Sequence, residues 1–247
     1  MDKQEYEEMY AVEERHWWFK GKRTVYLSVL DNIFKSERDL NILDFGCGTG
    51  INIQALRRYG KVTGIDISQD SYDLCIKRGL EIKLLDISKE EANALKGSYD
   101  LITCFDVLEH LPDAGKTIGR LGDFLTDEGY ILASVPAHSF LWSNHDVLLH
   151  HKRRYEKKGL REEFEKNNFE IVLISYYNSL IFPMALMRRI INPKKTSTAM
   201  TNIDILNGIM PPFYVLESCI APFGVIPFGV SLICLARKKN RNELTKA

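Results

Sequence analysis

The stretch ILDFGCGTG, residues 42–50, decides the fold. An apolar run closes on Asp44 and Phe45, then Gly46, Gly48 and Gly50 alternate with other residues before a helix-period segment begins. Glycines at such a junction let the backbone turn sharply and approach a ligand closely. The loop is neither common phosphate cradle. G-x-G-x-x-G needs a glycine where Ile51 stands, and the G-K-[ST] ending of a P-loop is absent.

Working outward, short apolar runs alternate with helix-period segments, the pattern of a parallel sheet flanked by helices. The runs predict strands at 41–45, 61–66, 81–86, 99–105 and 130–135, with later candidates at 169–177 and 230–237. Helices are expected near 50–59, 69–78, 113–125 and 157–167, the third opening after Pro112. Residues 3–36 read as helical, whereas 183–229 is rich in Pro and apolar residues without a clear period.

The chain has 247 residues, long for one domain and short for two, and its 45% hydrophobic content supports a sizeable core. Lys plus Arg equal Asp plus Glu at 33 each, so no global field draws it to nucleic acid. Cys47, Cys75, Cys104, Cys219 and Cys234 form no C-x-x-C pair and read as reduced core thiols, which favours a cytoplasmic setting. The acidic N-terminus is unlike a signal peptide, and prolines interrupt the two most apolar C-terminal stretches, so no spanning helix is expected.

With its supporting acids, the glycine loop strongly resembles motif I of the class I S-adenosylmethionine-dependent methyltransferases, the family that includes quinone-biosynthesis methyltransferases. Asp66 in VTGIDIS stands where that family has the acid for the ribose hydroxyls, and Asp86 in LLDIS where it has the acid beside adenine. YDLITCFDVLEHL, residues 99–111, is similar to its strand-four motif. HWWF and the loop HDVLLHHKRRY resemble a bacterial subgroup. The resemblance covers residues 20–137 well. It implies an α/β, Rossmann-like fold with a mostly parallel seven-stranded sheet, an antiparallel last strand and helices on both faces. As one domain, the chain then divides into an N-terminal helical cap (1–38), a cofactor-binding core (39–137), a substrate loop and helix (138–168) and the last strands (169–247) with an apolar insertion at 183–229.

The implied activity is methyl transfer from S-adenosylmethionine, leaving S-adenosylhomocysteine, to an oxygen of a small-molecule, saccharide or lipid-linked acceptor. Nitrogen methylation, a nucleic-acid or protein substrate, and a non-catalytic cofactor-binding partner subunit are the alternatives. The cofactor residues implied are Arg23, Asp44, Gly46, Cys47, Gly48, Asp66, Ile67, Asp86, Ile87, Phe105 and Asp106. His110 leads as the base, with Asp106, Glu109 and His145 as further catalytic candidates, because histidine suits proton transfer near neutral pH. Trp18, Trp142, His151, Arg154 and Tyr155 are the substrate candidates, and His151 is a second candidate base. No metal is expected, since Asp106, Glu109 and His110 lack a recognisable ligand spacing, although some relatives with an acid-x-x-Glu-His pattern bind a divalent ion. Trp17, Trp18 or Phe19 is expected either to close the site against water or to staple the N-terminal helix to the sheet, and Arg23 to reach the methionine carboxylate. No nucleic-acid partner is expected. The apolar C-terminal segments leave open a peripheral contact with the inner face of a membrane, an acceptor pocket or a homodimer.

Overall fold

The structure is a computed structural model and describes residues 3–35, 39–191 and 203–239. The elements run α1 (Lys3–Val12), α2 (Trp17–Phe34), β1 (Leu40–Phe45), α3 (Ile51–Leu56), β2 (Gly60–Asp66), α4 (Gln69–Lys77), β3 (Ile82–Leu84) and β4 (Tyr99–Phe105). They continue with α5 (Ala114–Phe124), β5 (Leu125–Pro136), α6 (Asn144–Leu148), α7 (Lys157–Lys166), β6 (Phe169–Tyr177), α8 (Phe182–Ile191), α9 (Ile203–Ile220) and β7 (Ser231–Lys238). The seven strands form one sheet in the order β3-β2-β1-β4-β5-β7-β6. β1 pairs in parallel with β2 and β4, while β7 runs antiparallel between β5 and β6. That is the expected sheet with its antiparallel last strand.

Alternation along each strand sorts side chains to the two faces of the sheet. Ile131, Ala133 and Val135 of β5 join Ile118 and Leu121 of α5 and Phe164 of α7 in one cluster. Leu132, between them, joins Val25, Val29 and Leu30 of α2 and Tyr214 of α9 in the other. A β1→α3 crossover places the glycine loop at the carboxyl ends of β1 and β4, where the strand order reverses and ligands settle in such sheets.

Three expectations are corrected. β3 is shorter than read and ends at Leu84, so Asp86 lies just beyond it. α3 stops at Leu56. The 183–229 stretch carries helices after all. α9 runs through Pro211 and Pro212 because its inward residues Met210, Tyr214 and Glu217 recur at helical spacing toward the protein. Gly21 receives the Tyr214 ring, since a Cβ there would lie 2.3 Å from it, and Asn207 Oδ1 accepts the Trp17 amide at 2.7 Å. No described helix is long and apolar enough to cross a membrane.

Candidate functional site

The loop after β1 holds Gly46, Gly48 and Gly50 at φ of 68°, 54° and 81°, in the left-handed region that disfavours other residues. A Cβ on Gly46 would also sit 2.5 Å from Val107 Cγ2, so the strand-four turn closes directly on this loop. Asp66 at the end of β2 steadies it. Its two carboxylate oxygens accept the Gly48 and Ser68 amides, each at 3.0 Å. Beside Asp66, Ile67 is 73% exposed, an apolar side chain left uncovered. Asp86 follows next to that strand end and accepts the Ser88 amide at 2.9 Å.

Asp44 is the most telling residue of the loop. It is 1% exposed, its Oδ1 accepts the Thr103 hydroxyl at 2.6 Å, and its Oδ2 is buried without a hydrogen-bond partner. Burial, with the Asp66 charge adding, outweighs the Thr103 bond and pushes this carboxyl up to about 7. An orphaned carboxylate oxygen under a glycine loop fits a ligand that brings a donor or a positive charge.

The protonation of Asp44 sets a pH dependence. Its folded value lies above the 3.8 of an ordinary Asp, so its contribution to stability is complete below about pH 4 and is lost as pH rises toward 7. Asp44→Asn should therefore raise the stability of the ligand-free protein at pH 8 by on the order of 2 kcal/mol while weakening ligand binding. Thermal melts at pH 4 and pH 8 check this, with the gain near zero at pH 4 and growing through the window up to about pH 7.

The N-terminal helices roof the loop. Glu13, buried between α1 and α2, accepts the Thr49 hydroxyl and pairs with Arg78 at 2.6 Å, while Arg78 also donates to Thr49 O at 3.0 Å. Met9 lies 3.7 Å above a Cβ built on Gly48. Arg23 donates to the Glu13 carbonyl at 3.0 Å. Lys22, deep under α2, forms an ion pair with Asp106 and lies 5.6 Å from the centre of the Trp18 ring. Asp106 has φ 55° and accepts the Ser134 hydroxyl at 3.1 Å, which in turn meets Tyr177 and Tyr26. Phe105 stacks on Tyr26 with centroids 4.0 Å apart. Trp17 is buried with its ring beside Tyr214 of α9, so the element it ties α2 to directly is α9, whereas Trp18 stays half-buried at the Lys22–Asp106 pair.

Past β4 lies a polar cluster. Glu109 is buried with Oε2 unpartnered, and burial followed by the Asp106 charge pushes its carboxyl well up. Burial, then the neighbouring His151, lowers His110 to about 4. The His110 and His151 rings meet edge to face at 4.8 Å, and His151 Nε2 stands 3.9 Å from Glu109 Oε1. The ligand atoms of Glu109, His110 and His151 lie within 4.8 Å of one another, a spacing in which a divalent ion could be held.

Asp146 organises the other side of this cluster. It is fully buried, yet bonds from His151 Nδ1 at 2.9 Å and Arg154 Nε at 2.7 Å hold its carboxyl well below the usual range. Its Oδ2 accepts from Arg154 Nη2 at 3.0 Å and from the Ser143 amide at 2.9 Å, the latter closing a capping box on α6. An ionised Asp146 can only accept, so His151 presents a proton on Nδ1, and in the neutral ring that tautomer leaves the lone pair on Nε2. Arg154 is thus committed to Asp146 and to the Ala137 carbonyl. Tyr155 is turned into the core, its hydroxyl on Leu108 O at 3.3 Å. Trp142 is half-buried and His145 exposed on α6, while Cys47 and Ile87 are buried.

Lys22 and Asp146 escaped sequence reading. Lys22 looks like one more solvated helix charge. Asp146 carries a local signal only as the acid three residues after Ser143.

The sequence profile described as "Methyltransferase domain" matches residues 18–174. The chain is 32% identical over 99 residues to a ubiquinone biosynthesis O-methyltransferase of Shewanella pealeana, covering 38% of this chain and 42% of that protein. To the protein of the same name from Yersinia enterocolitica it is 32% identical over 148 residues, covering 54% and 61%. The matches thus span about half the length of these curated relatives. Among solved structures, a SAM-dependent methyltransferase from Archaeoglobus fulgidus superposes with a TM-score of 0.57 at 19% identity, covering 87% of this chain and 92% of that one.

Proposed function

Because this chain belongs to the methyltransferase-domain family of class I, S-adenosylmethionine-dependent enzymes, we propose that it methylates an oxygen of a small-molecule acceptor. The observation that carries this reading is the unpartnered Asp44 oxygen beneath a left-handed glycine loop whose next acid is Asp66. When bound, S-adenosylmethionine supplies a methyl already activated on a sulfonium. The protein's own task is to hold the acceptor in line and exclude water.

Asp66 would take the ribose hydroxyls, with Asp86 and Ile67 at the adenine end and Asp44 at the positively charged methionine end. Gly46, Cys47 and Gly48 bring the backbone alongside. Arg23 would turn from the Glu13 carbonyl to the methionine carboxylate. Lys22 holds Asp106 and Trp18 together, a roof that keeps water from the reacting atoms.

His151 serves as the base in preference to His110. His110, lowered to about 4, has little proton affinity near neutral pH. His151 instead accepts the acceptor's proton at Nε2, and the imidazolium formed stays paired with Asp146 through Nδ1. Oxygen as the accepting atom draws support from the relatives' printed names.

The test is transfer of label from methyl-labelled S-adenosylmethionine into fractionated cell extract. One fraction should take up label in a form stable to mild base, as an ether is. Label confined to protein or nucleic acid would overturn the small-molecule reading.

A further inference from the structure

From the surface of α8 and α9 we infer that this protein docks on an anionic lipid bilayer and takes its acceptor from that surface; the second half rests on the methyltransferase reading above. α9 is apolar on both sides, since Leu206, Met210 and Tyr214 pack inward while its exposed face is apolar as well. Its inward face carries Asn207, Tyr214 and the buried acid Glu217, which accepts the Asn178 amide at 2.8 Å and the Ser179 amide at 2.7 Å. Its outward face shows Ile209, Phe213, Val215, Leu216 and Ile220, with Leu216 61% exposed, and none of these is charged. A helix on a water-facing surface turns a polar face outward instead.

The uncovered apolar surface continues beyond α9. Phe223 and Val225, in the turn that follows it, are 68% and 62% exposed. Met184, Met187 and Ile191 of α8 are exposed as well. Phe182 of α8 meets Phe228 at 5.5 Å and Phe140 at 6.4 Å, so the rings form a cluster that reaches His138 just past β5. Exposed apolar surface of this extent marks an interaction site.

Charge selects the occupant. In the sequence no Asp or Glu occurs between Glu170 and Asp204, whereas Arg188, Arg189, Lys194 and Lys195 do, the first two on α8, in a chain whose charges balance overall. Basic residues beside an uncharged apolar face are what an anionic headgroup layer attracts. No described helix is both long and apolar enough to span, so the proposed contact is one in which the face lies in the headgroup region.

The face also adjoins the site. α9 packs on α2, which carries Trp18 and Lys22, and the Phe140–Phe182–Phe228 rings sit at the end of β5 beside the loop bearing His151. An acceptor with an apolar tail could remain partly in the bilayer while its polar head enters.

The test is co-sedimentation of the full chain with vesicles of phosphatidylcholine alone or mixed with phosphatidylglycerol, comparing wild type with Phe213→Glu and Leu216→Glu. S-adenosylhomocysteine affinity and melting are measured on the same samples. Wild type should pellet with the mixed vesicles and much less with phosphatidylcholine alone, and about 0.5 M salt should weaken the binding. Each substitution should weaken it by about tenfold or more with melting and cofactor affinity unchanged. Failure to bind any vesicle, with a dimer in sedimentation velocity that the same substitutions dissociate, overturns the proposal in favour of a second copy. Loss of cofactor affinity in wild type with vesicle binding intact would instead strike the methyltransferase reading and leave the docking face standing.

Discussion

Asp66→Ala should weaken S-adenosylhomocysteine binding by about a hundredfold or more, the effect of losing charge-assisted hydrogen bonds to a buried ligand. Two losses combine in this variant. The carboxylate now fixes the glycine loop through the Gly48 and Ser68 amides, and in the complex it would also meet the ribose hydroxyls. Asp66→Asn separates them. It keeps an acceptor for the loop but loses the charge and one acceptor oxygen, so its loss should be intermediate. Calorimetric titration reads both, and an unchanged affinity in Asp66→Ala would remove this acid from the ligand site.

Turnover should depend most on the His151–Asp146 pair. His151→Ala should lower kcat by about 10²–10⁴, the range for losing a positioned general base, with little change in KM for the methyl donor. Asp146→Asn should cost nearly as much. An amide facing Nδ1 can turn its NH₂ toward the ring, which favours the tautomer with the proton on Nε2 and leaves no base there. Asp146 touches no reacting atom in this scheme and acts by positioning His151. The split between kcat and KM, together with partial rescue of His151→Ala by added imidazole, distinguishes this from a structural role, which would move both constants and the melting temperature. Full loss of wild-type activity on chelation, restored by a divalent ion, would make Glu109, His110 and His151 a metal centre instead.

The sheet was legible because each strand is a short apolar run bounded by turn residues, and because a glycine-rich turn after β1 has few other uses. Asp44, Asp66 and Asp86 stand out only through the resemblance to the family's motifs, since an acid at or just past a strand end is otherwise an ordinary solvated charge. Residues whose meaning comes from distant partners were not legible. Lys22 meets Asp106 from 84 positions away, and nothing near it announces the contact. His110 looked the better base because it stands beside the strand-four motif. Burial and the His151 ring, both supplied by the loop after β5, are what weaken it. α9 is hidden by its prolines and by apolar residues on both of its sides, which read as a run without period.

The same two-sided apolarity explains why the C-terminal segment suggests several roles at once. Its inward face builds the α2 contact that stapling Trp17 requires, and its outward face is left for a partner. One helix therefore ties the roof of the site to a surface that can meet lipid.

The most direct measurement of the central claim is a crystal structure with S-adenosylhomocysteine bound. The account predicts ligand density over Gly46–Gly50, with the ribose hydroxyls on Asp66 and the amino end toward Asp44. Density anywhere else, or a fully loaded crystal in which Asp44 Oδ2 still has no partner, would contradict it.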